Sequence, residues 1–349
     1  MSRSKHMSSI DNVNPADSTS FFVGVDVAKL TFDASLAPLG GVPAVFSRLP
    51  VSSFEMSKSG VQSFKKWLEN ELDGGAARGI VIEATGVYSK RFVDSIKEYD
   101  LPPVSTINPY YPLSFKRSLG IKDKTDRVDA RTLALYGAMR TPAPDREYAA
   151  DQMKLKELHR LCDDLEKDLG SWRNRLEQTD SKEVRTLVRT AITQMETSLS
   201  KARAQIKKLI DANERMKKDV ELMRTIPGIG ETTAVMLLAE LGNMRDWKRD
   251  KIVGYCGLYP RRYTSGTSVG RRPRLAKGGG WRIRRGLFMC CLALCRIESR
   301  LSNFGKALKE RGKSKMCAIG AMMRKLLLIA RAVVVSGNPY DPDFRLTSS

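Results

Sequence analysis

The chain has 349 residues, 42% of them hydrophobic, which is enough for two or three domains with real cores. It carries 60 Lys and Arg against 39 Asp and Glu, a net charge of +21 that points to a polyanionic partner. No run of about twenty apolar residues occurs, which excludes a membrane-spanning helix, and the polar stretch 1–20 has no apolar core of the kind a secretory signal needs.

Residues 1–20 read as a disordered tail. From Phe21 the pattern changes. Phe21 to Val27 is an almost continuous apolar run, as in a buried strand, and a tight turn near Ala28 to Leu30 joins it to a second strand reaching Ala37. A third strand is expected over Ala44 to Val51. Val61, Phe64, Leu68 and Leu72 have helical spacing. A buried strand Gly79 to Glu83, a helix Ser89 to Tyr99 and a strand Val104 to Ile107 follow. Antiparallel strands, then strand, helix and strand, predict an α/β layer with a mixed sheet over residues 21–147. A further helix starts at Thr125, with Asp126 and Asp129 three residues apart on one face.

Residues 148–223 read as coiled-coil helices. Leu155, Leu158, Cys162, Leu165, Leu169, Trp172 and Leu176 alternate by three and four, a heptad seam. Ala202, Ile206, Leu209, Asn213, Met216, Val220 and Met223 resume it. Between them Asp180 is the expected helix cap, with Glu183 three residues on. Such helices serve either as a spacer packed on itself or as a dimerisation arm.

Residues 224–336 are mainly helical and strongly basic. From Arg224 to Ser349 there are 25 Lys and Arg against 8 Asp and Glu, a net of +17. In "IPGIGETTA" a glycine turn precedes a helix over Glu231 to Leu241. This is a helix-hairpin-helix pattern, whose backbone N–H groups suit a phosphate, or simply a helix–helix turn. Between Arg261 and Arg285 lie nine Lys and Arg and no acid: Arg261, Arg262, Arg271, Arg272, Arg274, Lys277, Arg282, Arg284 and Arg285. With Gly266, Gly270 and Gly278 to Gly280 among them, this stretch is expected to order only against phosphates. Helices are expected from Trp281 and over Met316 to Val335, with an irregular tail at 337–349. The six cysteines lack CxxC spacing and no histidine is near the Cys290, Cys291 and Cys295 cluster, so a zinc site is not expected, and the reducing cytoplasm fits.

Two carboxylates side by side repel unless a cation sits between them. Asp26 and Glu83 each end a buried strand, where an unpaired carboxylate is expensive. With Asp126 and Asp129 they make four acids suited to Mg²⁺, which takes oxygen ligands and substrate phosphate. Such a set can hold two ions about 3.5–4 Å apart and polarise a phosphodiester. Lys124, Arg127 and Arg131 are the neighbouring candidates for holding a nucleic-acid strand. Each acid also has a plainer reading. Asp26 suits a turn cap, Glu83 an ion pair with Arg91, and Asp126 and Asp129 the acidic first turn of a helix. Asp33 and Asp123 are weaker candidates.

"GVDVAK", "IEATGVY", "DKTDRVDA" and "IPGIGETTA", followed by a Ser-Gly in a basic segment, resemble the DEDD transposases of insertion sequences, which are related to pilin-gene inverting recombinases. The resemblance runs from Phe21 to about Val335. It implies a RuvC-like domain of RNase H fold, a coiled-coil segment and a carboxy-terminal transposase domain. It also implies an acidic tetrad of Asp26, Glu83, Asp126 and Asp129, and a nucleophilic serine at Ser265. A structured noncoding bridge RNA, donor and target DNA, and a homo-oligomer, dimer or tetramer, are its implied partners. Its implied setting is the bacterial cytoplasm, with nucleoid association during activity. The residues themselves do not distinguish Ser265 from Thr264 or Ser268. A RuvC-type junction nuclease, which needs no serine, and a non-enzymatic nucleic-acid-binding protein are the competing functions.

Overall fold

The computed structural model describes residues 20–84, 86–145, 149–265, 269–276 and 278–342. The expected tails fall largely outside these ranges, as do Lys277 and Ser268. The chain divides into two compact units, residues 1–147 and 148–349.

In the first unit β1 (Ser20–Val27) runs antiparallel to β2 (Thr31–Pro38), which pairs in the same sense with β3 (Val51–Glu55). On the other side of β1, β4 (Ala76–Glu83) and β5 (Val104–Ile107) are parallel to it. The sheet order is β3-β2-β1-β4-β5, the mixed sheet of an RNase H-like domain. The third strand lies later than expected. Pro43 to Arg48 form a 3₁₀ helix instead, because Pro43 starts a helical turn readily but cannot donate to a ladder.

Side chains alternate across the sheet. Val23, Val25, Ile80 and Ile82 face α1 (Lys58–Leu72) and α2 (Val87–Ile96), around Phe64 and Phe92. Phe22 and Val81 face the opposite way, against Leu133, Ala134 and Ala138 of α4 (Asp126–Arg140). A short helix not foreseen from the sequence, α3 (Tyr110–Ser118), lies against α4 through Phe115. Two glycines bring α4 onto the sheet. A Cβ on Gly24 would overlap the backbone of Ala130 and Ala134, and one on Gly137 would stand 2.8 Å from Val81 and 2.9 Å from Phe22.

In the second unit α5 (Ala150–Glu177) and α6 (Lys182–Asp211) form a hairpin. The pairs Arg173–Glu196 and Arg203–Glu166 show it to be antiparallel. Leu155, Cys162 and Leu169 of the heptad seam are buried in the same core as Ile192, Leu199 and Ile206, so the seam closes within one chain. Ser181, not Asp180, caps α6, its hydroxyl accepting from Val184 N. The second seam breaks at Asn213, whose side chain caps α7 (Glu214–Arg224).

α8 (Glu231–Leu241) is buried from Ala234 to Leu241 and forms the centre of the unit. Around it lie α9 (Arg249–Tyr255), α10 (Trp281–Leu294), α11 (Arg300–Glu310) and α12 (Lys315–Ser336). The basic segment is not a loop. It forms a two-stranded hairpin of β6 (Pro260–Ser265) and β7 (Val269–Leu275), its root fixed by Ala276 N donating to Tyr259 O and by Leu275 lying against Gly320. Among the described residues no helix is long and apolar enough to cross a membrane.

Candidate active site

The acidic site follows from the alternation of the sheet. Residues 22, 24 and 26 of β1 share a face, as do 81 and 83 of β4. Val25 pairs with Ile82, so Asp26 and Glu83 end adjacent parallel strands on the face that α4 covers. On α4, Asp126 and Asp129 lie one turn before Ala130 and Leu133, which face the sheet, so the helix brings its first turn to those strand ends. Thr125 caps that turn, its hydroxyl accepting from Val128 N at 3.2 Å. The N-terminal dipole favours the two acids there.

The four charges feel one another. Asp26 is pushed up to about 7, first by burial and then by Asp129, Asp126, Glu83 and Asp33. Glu83 is raised by burial and by Asp129, against the lowering effect of Lys116 and Lys124. Asp33, directly opposite Asp26 on β2, accepts a hydrogen bond from Ser53 Oγ and adds to the negative field. An all-oxygen donor set of this charge fits a hard divalent cation. Yet among the described residues no three His, Cys, Asp or Glu side chains converge closely enough to hold one. Asp129 is engaged elsewhere: Lys116 Nζ donates to its Oδ1. Lys116 is 8% exposed and was not foreseen, since a lysine in "SFKRS" gives no sequence sign that it turns inward.

The predicted strand-holding residues have mixed fates. Lys124 is exposed and acts on Glu83. Arg127 donates to Val51 O and Arg131 to Leu49 O, each at 3.0 Å, so both tie α4 to the approach to β3. In the second unit Arg282 donates to Asp163 at 3.0 Å and Asp164 at 3.3 Å, and Arg284 to Cys256 O and Gly279 O. These bonds fix α10 to α5 and to the glycine run. Arg285 remains 57% exposed, 3.9 Å from Asp163. Arg274 is exposed and paired across the hairpin with Arg261, two like charges side by side. Arg262, Arg271 and Arg272 lie on the hairpin backbone, and Ser265 ends β6 opposite Val269. In the helix-hairpin-helix turn Gly228 has φ of +86°, and a Cβ there would meet Leu294 at 2.6 Å, so both its backbone conformation and its packing call for glycine. Gly230 precedes α8 with no side-chain cap.

Exposed Tyr110 and Tyr111 follow β5 just beyond Ile107, the partner of Glu83.

Comparison with known proteins bears on both units. A transposase model for the DEDD domain of the IS110 type matches residues 23–179. A model described as the transposase IS116/IS110/IS902 family matches residues 220–306. Pilin gene-inverting proteins of Moraxella bovis and Moraxella lacunata are each 30% identical over 324 residues, covering 92% of this chain and 97% of theirs.

Proposed function

The chain belongs to the IS110 family of insertion-sequence transposases, DNA recombinases whose DEDD domain implies a divalent metal ion. From that premise we propose that it exchanges DNA strands under the guidance of a structured bridge RNA, with Asp26, Glu83, Asp126 and Asp129 as the Mg²⁺ ligands and Ser265 as the nucleophile. The observation that carries this reading is the joining of Asp26 and Glu83 at adjacent strand ends with the first turn of α4, in one coupled negative field.

The metal, when bound, would polarise the scissile phosphate and lower the barrier to attack. The chain's own residues do the rest. The Ser265 hydroxyl attacks phosphorus, its proton passing to a carboxylate of the tetrad. The P–O bond to the deoxyribose breaks, and the 3′ or 5′ oxygen leaves as a hydroxyl, taking up the proton that the carboxylate received. The new phosphoserine ester keeps the energy of the broken bond, so a second DNA hydroxyl can displace the serine and reseal the strand without ATP. The scheme requires serine and carboxylates to meet, within a chain or between subunits of an oligomer. Lys124, Arg261, Arg262, Arg271, Arg272, Arg274 and Arg285 carry the DNA and RNA phosphates.

DNA trapped mid-reaction is expected to be covalently bound at Ser265, as read by denaturing gel and peptide mass spectrometry. Ser265→Ala should lose the adduct and strand exchange while still binding nucleic acid. Cleavage that persists in that variant would favour attack by water instead. Sequencing the nucleic acid that copurifies with the protein tests the RNA guide.

A further inference from the structure

Lys116 is a buried cation that the sequence reading did not predict. Its side chain is 10% exposed, on α3, and donates to Asp129, itself 29% exposed. A buried ammonium is expensive unless it is paired, so the contact is a requirement of the packed domain. Asp129 is also one of the four acids whose field runs through Asp26 and Glu83, and Lys116 acts on Glu83 from the same position. A lysine has a flexible four-carbon stem and a compact charge, so it can leave a carboxylate without disturbing the helix that carries it. The acids do not converge as a ligand set among the described residues, and Asp129 is the member held by another partner.

We infer that Lys116 is a displaceable counter-ion of the acidic site, holding Asp129 until a divalent cation takes that carboxylate. This rests on the reading of the four acids as metal ligands. It makes Lys116 a positioning residue that acts through Asp129. It also has a consequence that a plain structural strut lacks. Cation binding must break the Lys116–Asp129 pair, so the lysine weakens the site's affinity while letting the domain fold without metal.

Isothermal titration of the full chain with Mg²⁺, away from any activity measurement, tests it. Lys116→Met should bind Mg²⁺ about tenfold more tightly than the native chain, because the competing charge is gone. Its thermal midpoint in EDTA should fall below native and recover when Mg²⁺ is added. Lys116→Gln keeps a hydrogen bond to Asp129 but not the charge. It carries the same expectation and decides the matter if the Met variant does not fold. Native or weaker affinity in the folded neutral variant overturns the inference. Asp26→Asn and Asp129→Asn separate the two ideas. If they abolish Mg²⁺ binding and the Lys116 variants leave it unchanged, only the counter-ion role falls. If neither affects binding, the metal-ligand reading falls as well.

Discussion

Asp26 stands where two demands conflict. Burial at a strand end disfavours its charge, and four neighbouring carboxylates disfavour it further, so its carboxyl is pushed up to about 7. An unfolded aspartate releases its proton near pH 4. Between about pH 4 and 7 the native state therefore holds a proton that the unfolded state has lost, and stability must fall as pH rises. In EDTA, urea unfolding should show a loss on the order of 2 kcal/mol across this window, allowing for solvent screening. Asp26→Asn should flatten it. Gly24 answers a different demand. A methyl group there would strike the backbone of Ala130 and Ala134, which cannot swing aside. Gly24→Ala should cost roughly 3 kcal/mol or more in the same assay and displace α4, with Asp126 and Asp129, from Asp26 and Glu83, abolishing strand exchange.

At the scale of elements, the α5–α6 hairpin changes what the heptad pattern means. A seam at three-four spacing asks for a partner helix but does not say whose. Here the four residues between α5 and α6 return the chain at once, so the partner nearest in space is its own next helix. Leu155→Ala and Leu169→Ala, at 0% and 4% exposure, should each cost about 2–5 kcal/mol in denaturant unfolding. That cost should not depend on protein concentration, as it would if the seam were formed between chains. The β6–β7 hairpin shows the opposite balance. Two strands alone are marginal, and Arg261 faces Arg274 across them, so Leu275 at the root supplies the anchoring contact. A polyanion laid along the strands would relieve that repulsion.

For the whole molecule the question is how a net +21 is spent. Some cations hold the protein together: Arg127 and Arg131 on backbone carbonyls, Arg282 on Asp163 and Asp164, Lys116 on Asp129. Under the proposed function the hairpin arginines make the phosphate contacts. Replacing Arg271, Arg272 and Arg274 by Gln should weaken DNA binding and reduce the slope of log K against log salt by roughly 0.9 per lost contact. Arg282→Gln should chiefly lower stability, with a salt slope close to native.

Sequence by itself determined the strand ends that carry Asp26 and Glu83, the helix that begins at Asp126, and α8 to its last residue. Each rests on local pattern: apolar runs broken by one acid, a threonine cap, a glycine turn. That Asp26 and Glu83 end adjacent strands on the face α4 covers comes from the sheet register and the packing of α4, which no local pattern states. Tertiary structure decided the rest. Pro43 to Arg48 form a 3₁₀ helix where a strand was expected, α3 and α11 went unseen, and the basic segment paired with itself. The reason is physical. A short element such as α3 is stabilised by what it packs on, not by its own propensity, and an ion pair depends on two places that the chain brings together only after folding. Lys116 and Asp129, thirteen residues apart on different helices, are such a pair, and no local rule in the sequence joins them.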